Sequence, residues 1–200
     1  MLPYIEPAAR IAIDLSGIGL TDEIFARICR DNPELGFERT ASGELVVVTP
    51  TGLQAGHREI RILQRLGEWT DRDGTGIAFS SNALYTLPNG AKRAPDASWI
   101  RLDRWKRLSS KDREGFGPIA PDFVVEVRSP TDRIADLQEK MREYAATGVR
   151  LGWLLDPFGR EAWVYRPDSD PEHIPNPQWL EGEDVLPGFR FDFSEIVEAE

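Results

Sequence analysis

Two acids and a lysine carry the residue types of a hydrolytic centre. Asp96 follows Pro95 at the head of APDASWIR, Glu126 lies in PDFVVEVRSP, and Lys140 lies in the next segment, RIADLQEKMREYAA. In an extended strand, alternate side chains share a face. Asp122, Val124, Glu126 and Arg128 then line one side of the second stretch, and Phe123, Val125 and Val127 the other. Taking a carboxylate out of water is costly unless it is paired or binds a metal. Two carboxylates on adjacent strands can hold a hard divalent ion, with a main-chain carbonyl and waters completing its shell. Such an ion acidifies a bound water and offsets the charge of a phosphodiester. A nearby ammonium orients that water or stabilises the charge that builds at phosphorus. Asp96, Glu126 and Lys140 therefore make the smallest set for metal-dependent phosphodiester hydrolysis, with Mg²⁺ or Mn²⁺ as cofactor.

The elements around them must bring these residues together. PDFVVEV reads as a strand, TDRIADLQEKMREYAATG as a helix, and VRLGWLLDP as a second strand. Ser129-Pro130-Thr131-Asp132 supplies a helix start and Gly148 a helix stop. Ile134, Leu137, Met141, Tyr144 and Ala145 form the apolar stripe of that helix, and Lys140 flanks it, about 80° from its centre. Residues 94–101 read as a strand with Asp96 near its start. Upstream, Thr21 caps a short helix, residues 35–40 and 44–49 form a hairpin around Ala41-Ser42-Gly43, and residues 53–71 form a helix with His57 and Glu59 in its first half. Residues 1–20 read as an irregular arm, 109–118 as a polar loop, and 167–187 as a surface excursion with little regular structure. Phe189, Phe191 and Phe193 alternate as if closing a sheet edge.

Composition narrows the chemistry. The chain of 200 residues suits one domain, and its single cysteine, Cys29, excludes an internal disulfide. With only two histidines, His57 and His173, a multi-histidine zinc site is excluded. No apolar run reaches a membrane-spanning length and no signal peptide is legible, so a cytoplasmic location is expected. The net charge of −10 argues against a protein that coats nucleic acid indiscriminately. Residues 92–113 nevertheless hold eight basic side chains against three acidic ones, a segment able to meet phosphate. For a charge cluster by itself, a solvated helix and loop is the plainer account.

The order PD, then E with a lysine downstream, around a strand–helix–strand unit, resembles the PD-(D/E)-x-K nucleases. More closely, PDFVVEVRSPTDRIADLQEKMREYAATGV followed by GWLLDP is similar to the Uma-two (Uma2) group of restriction endonucleases. The short motif arises often by chance, whereas the long string is far more specific. The likeness is densest over residues 94–166, the expected catalytic core, and extends faintly from His57 to the terminal LPGFRFDF. It implies Asp96 and Glu126 as metal ligands, with the Val127 carbonyl as a third. It also implies Lys140, on the helix, as the lysine that other nucleases place on the strand, where this chain has Arg128. An arginine stays protonated at neutral pH, so Arg128 would be a phosphate clamp and not a base. Asp122 and His57 also match the group's pattern and are further candidates, and Asp136 and Tyr144 fit it as supporting residues.

The expected fold is a single α/β domain: a restriction-endonuclease-like mixed central sheet flanked by helices, with an N-terminal β-hairpin extension. The expected activity is metal-dependent cleavage of DNA, and a homodimer is expected by analogy of fold. Two rivals stay open: a nuclease fold kept as a DNA-binding or assembly module with weak or absent chemistry, and a hydrolase of smaller phosphoesters.

Overall fold

The computed structural model describes residues 11–197 except Ser16 and Thr49. In chain order the elements are β1 (Ile11–Asp14), α1 (Asp22–Asp31), β2 (Gly36–Arg39), β3 (Glu44–Val48), α2 (Leu53–Asp73), β4 (Gly76–Ser80), β5 (Tyr85–Thr86), β6 (Lys92–Arg93) and β7 (Ala97–Arg101). They continue with α3 (Leu102–Arg107), α4 (Ser110–Glu114), β8 (Phe123–Val127), α5 (Ile134–Ala146), β9 (Leu151–Asp156), β10 (Glu161–Tyr165), β11 (Glu172–Pro175), β12 (Trp179–Glu181) and β13 (Arg190–Asp192).

The central sheet has the order β11-β10-β9-β8-β7-β4. β8 and β9 run parallel, and their neighbours pair antiparallel, so the sheet is mixed. A parallel pair needs a crossover, and α5 supplies it. Such strands are buried on both faces, which is why FVVEV and LGWLLD are almost continuously apolar. On one face, Ile62, Leu66 and Trp69 of α2 pack with Trp99, Phe123, Val125 and Trp153. On the other, Met141 and Tyr144 of α5 pack with Ile100, Val124 and Leu154. Glu126 emerges on the α5 face, as period two requires of a strand whose Val124 lies there.

A second sheet, β1-β3-β2-β6-β5, extends the N-terminal hairpin. Its short strand β6 leads directly into Pro95 and Asp96, so this sheet is joined to the central one at the candidate site.

Several local expectations need correction. Residues 11–14 are not irregular: they form β1, paired with β3 from Ile11↔Val47 to Asp14↔Glu44; the first ten residues of the expected arm lie outside the described residues. The polar loop contains α4, closed by a capping box between Ser109 and Asp112. Ser129–Asp132 does not begin the helix but makes a turn, with Asp132 Oδ2 accepting from Ser129 N at 2.8 Å; α5 starts two residues later. The 167–187 excursion holds β11 and β12. β13 closes no edge of the central sheet: it pairs with β12 in a separate ribbon. Phe189, Phe191 and Phe193 pack instead into the α2-side core, where Phe189 stacks on Trp153 at 5.7 Å.

Candidate active site

Strand register brings the two acids together. β7 and β8 pair antiparallel with Ala97 opposite Val125. Carried one step further, that register sets Asp96 opposite Glu126, and opposed side chains lie on one face. Asp96 Oδ2 accepts from the main-chain N–H of Val127 at 2.7 Å, which fixes the end of β8 to the entrance of β7. The helix adds a cation and a hydroxyl. Lys140 and Tyr144 are one turn apart on α5. Lys140 Nζ lies 2.7 Å from Glu126 Oε1, and Tyr144 Oη donates to the same oxygen at 3.1 Å. Lys140 Nζ also lies 2.8 Å from Glu38 Oε1 and 3.5 Å from the Ala94 carbonyl.

Glu38, on β2, was not singled out by the sequence. It is buried, accepts from Ala94 N at 3.0 Å and pairs with Arg93 at 3.2 Å. Arg93 is paired in turn with Glu143 at 2.5 Å. The sequence carried no signal for it: Glu38 alternates with the apolar Phe37, and its nearness to Arg93 comes from the long-range pairing of β2 with β6.

These contacts set the charges. Burial, and then the negative charge of Glu126, hold the Asp96 carboxyl well above the usual carboxylate range. Burial also raises Glu126; Lys140 draws it down, Glu38 pushes it up, and the balance lies above the ordinary value. For Glu38 the balance is reversed: burial would raise it, but Lys140 and Arg93 hold it below. Burial pulls Lys140 down, yet Glu126 and Glu38 more than offset this and keep it above the ordinary lysine value.

Asp96, Glu126, Lys140, Glu38 and Glu59 all line one cavity of about 150 Å³, together with the apolar Val46, Val48, Ala55 and Leu137. Glu59 reaches the cavity from α2 and accepts from Ser81 Oγ at 2.5 Å. His57 does not join it. Ala55 and Glu59 are one helical turn apart and face the cavity, which turns His57 roughly 200° away, onto the exposed side of α2.

The remaining candidates lie elsewhere. Asp122 is buried at the far end of β8, where it pairs with Arg104 at 2.9 Å and accepts from Arg101 N at 2.9 Å. Arg128 is beyond the other end of that strand, paired with Asp156 at 2.8 Å and 5.8 Å from the Phe158 ring. Asp136 lines a neighbouring groove with Glu139 and Glu143. Three of the eight basic side chains of the 92–113 segment, Lys92, Arg93 and Arg104, are buried or half-buried, and Arg101, Lys106, Arg107, Lys111 and Arg113 stay at the surface. Lys92 is buried between Asp22 and Thr86, Arg93 between Glu38 and Glu143, and Arg101 and Arg104 are paired with Asp103 and Asp122.

The donor set fits a hard divalent ion in one respect and limits it in another. Asp96, Glu126, Glu38 and Glu143 surround two cations, Lys140 and Arg93, so the cluster lacks positive charge, and a divalent ion would supply it. Among the described residues, however, no group of three acidic, histidine or cysteine side chains is placed to hold an ion. An ion here would rest on the Asp96–Glu126 pair with main-chain oxygen and waters.

Comparison with known proteins agrees with this architecture. A crystal structure of "a putative nuclease belonging to DUF820" from Anabaena variabilis superposes with a TM-score of 0.68 at 18% identity, covering 82% of this chain and 90% of that one; at this identity the likeness shows the fold. No match is found among curated proteins. No helix of the described residues is long and apolar enough to cross a membrane. The family model "Uma2: Putative restriction endonuclease" matches residues 22–194, almost the whole length from α1 to the final turn, and the chain belongs to that family.

Proposed function

We propose that the chain is a Mg²⁺- or Mn²⁺-dependent endonuclease that hydrolyses phosphodiester bonds of DNA. The observation that carries this reading is the convergence of Asp96, Glu126 and Lys140 on one cavity from three separate elements. Asp96 and Glu126 would hold the ion, with the Val127 carbonyl as the third ligand that the family resemblance implies. When bound, the ion acidifies a water and offsets phosphate charge. Lys140, held charged by Glu126 and Glu38, stays an ammonium at neutral pH. Its part is therefore to donate hydrogen bonds to a phosphate oxygen or to the attacking water, and not to take a proton. Tyr144 fixes the Glu126 carboxylate by its hydroxyl.

The rival is a nuclease fold retained as a binding or assembly module. The pairing of Lys92, Arg93 and Arg104 with acidic partners favours it, because it takes three of the segment's eight cations away from a phosphate backbone. Incubation with duplex and single-stranded DNA in Mg²⁺, Mn²⁺ or EDTA separates the two. The endonuclease reading expects cleavage that requires a divalent ion and falls about a hundredfold or more in Asp96→Ala and Glu126→Ala. Absence of cleavage on every DNA form, or cleavage unchanged in both variants, rejects it.

A further inference from the structure

Glu38 comes from outside the strand–helix–strand unit that carries the candidate chemistry. It stands on β2 of the second sheet, is 4% exposed, and sends one oxygen to Lys140 Nζ at 2.8 Å and to the Ala94 N–H at 3.0 Å. Lys140 Nζ is thus divided between two carboxylates, with Glu126 Oε1 at 2.7 Å on the other side. Glu38 also meets Arg93 through its other oxygen at 3.2 Å, but Arg93 has a second, closer carboxylate in Glu143 at 2.5 Å, whereas among the described residues Lys140 has only Glu126 beside Glu38. An ammonium shared in this way gives up part of its attraction to each anion. Without Glu38 that attraction would fall on Glu126 alone, and an ion approaching Glu126 would compete with a private ion pair.

We propose that Glu38 is a positioning residue for Lys140: from the second sheet it fixes where the ammonium stands and keeps it from closing on Glu126 alone. The consequence for catalysis rests on the endonuclease reading above, while the positioning itself does not. It gives the N-terminal hairpin a part in the site that the short nuclease motif lacks.

Glu38→Gln tests this, since the amide keeps the shape and an acceptor for Ala94 N–H while removing the charge. It is compared in the full chain with Lys140→Met and with the double variant. Mn²⁺ calorimetry is expected to show a dissociation constant raised about tenfold by Glu38→Gln, but changed less than about twofold when the same substitution is made on Lys140→Met. Equal weakening in both backgrounds, or none in either, overturns the proposal. A second readout needs neither metal nor DNA. In urea with EDTA, the two substitutions should be strongly non-additive in their unfolding midpoints; additive shifts overturn the proposal. Should Lys140→Met fail to fold, Lys140→Gln, which can still hydrogen-bond both carboxylates, takes its place. Coupled substitutions in a protein that takes up no Mn²⁺ would uphold the positioning and reject the endonuclease reading alone.

Discussion

Replacing Asp96 by asparagine removes a charge that the metal-free fold is poorly built to hold. Asp96 lies at the cavity with its carboxyl pushed well above the usual range, first by burial and then by Glu126. The asparagine side chain can still accept from Val127 N, and its amide can donate toward Glu126, so shape and the main-chain bond are kept. Deleting one uncompensated charge of this kind should stabilise the protein in EDTA by about 1–2 kcal/mol. The lower end is the better figure because Asp96 is partly exposed, and water in the cavity softens the penalty. The sign with pH follows from linkage. A carboxyl whose folded pKa exceeds its ordinary 3.8 contributes stability that is complete below 3.8 and lost as pH rises through the folded value. The variant and the parent should therefore be alike at acid pH and diverge in favour of the variant as pH rises. Urea unfolding in EDTA from pH 4 to 8 measures this. With Mn²⁺ at about a hundred times its dissociation constant, the parent should gain about 2.7 kcal/mol and the variant almost nothing, so their order reverses. An asparagine variant less stable than the parent at pH 8 in EDTA, or a difference that does not change with pH, refutes the charge argument.

Other consequences are as direct. Lys140→Met leaves Glu126 and Glu38 facing each other without their shared cation and should cost about 3 kcal/mol at pH 8 in urea unfolding. Losing Lys140 removes the main charge that draws both carboxyls down against burial, so the deficit should shrink as pH falls; an equal deficit at pH 5 and pH 8 contradicts the pairing. Burial pushes the Tyr165 hydroxyl up to about 12 and Tyr85 higher still, so the stability they contribute is complete below the ordinary 10.0 and lost as pH rises through their folded values. A phenolate titration by ultraviolet absorbance should show them ionising late, together with alkaline unfolding; ionisation of all four tyrosines near pH 10 contradicts this burial.

The core of the site was legible because its elements are local and strongly patterned. PDFVVEV, the α5 stripe and LGWLLDP specify a strand, a helix and a strand from apolar periodicity alone, and the acids stand out against that background. Lys140 was legible as a flank of the stripe, since helical spacing fixes its direction once the buried face is known. Glu38 and Glu59 were not, because each reaches the cavity through long-range packing. Glu38 depends on how the second sheet meets β8, and Glu59 on the angle at which α2 crosses. Residue type misled at His57, where the rotation of α2 and not its chemistry decides exposure. In the basic segment formal charge shows in sequence, but that a cation such as Arg93 faces a buried carboxylate is settled by strand pairing that joins residues far apart. The short strands β11, β12 and β13 hold three or four residues each, too few for a periodic signal to separate from proline-rich loop.

The central claim is that Asp96 and Glu126 form one ion-binding pair beside Lys140, and diffraction from crystals soaked in Mn²⁺ tests it most directly. The account predicts an anomalous peak within about 2.3 Å of a carboxylate oxygen from each of Asp96 and Glu126, lost in Glu126→Gln. Crystals of the parent protein at saturating Mn²⁺ with no peak between these two residues, or with the ion held elsewhere, would contradict it.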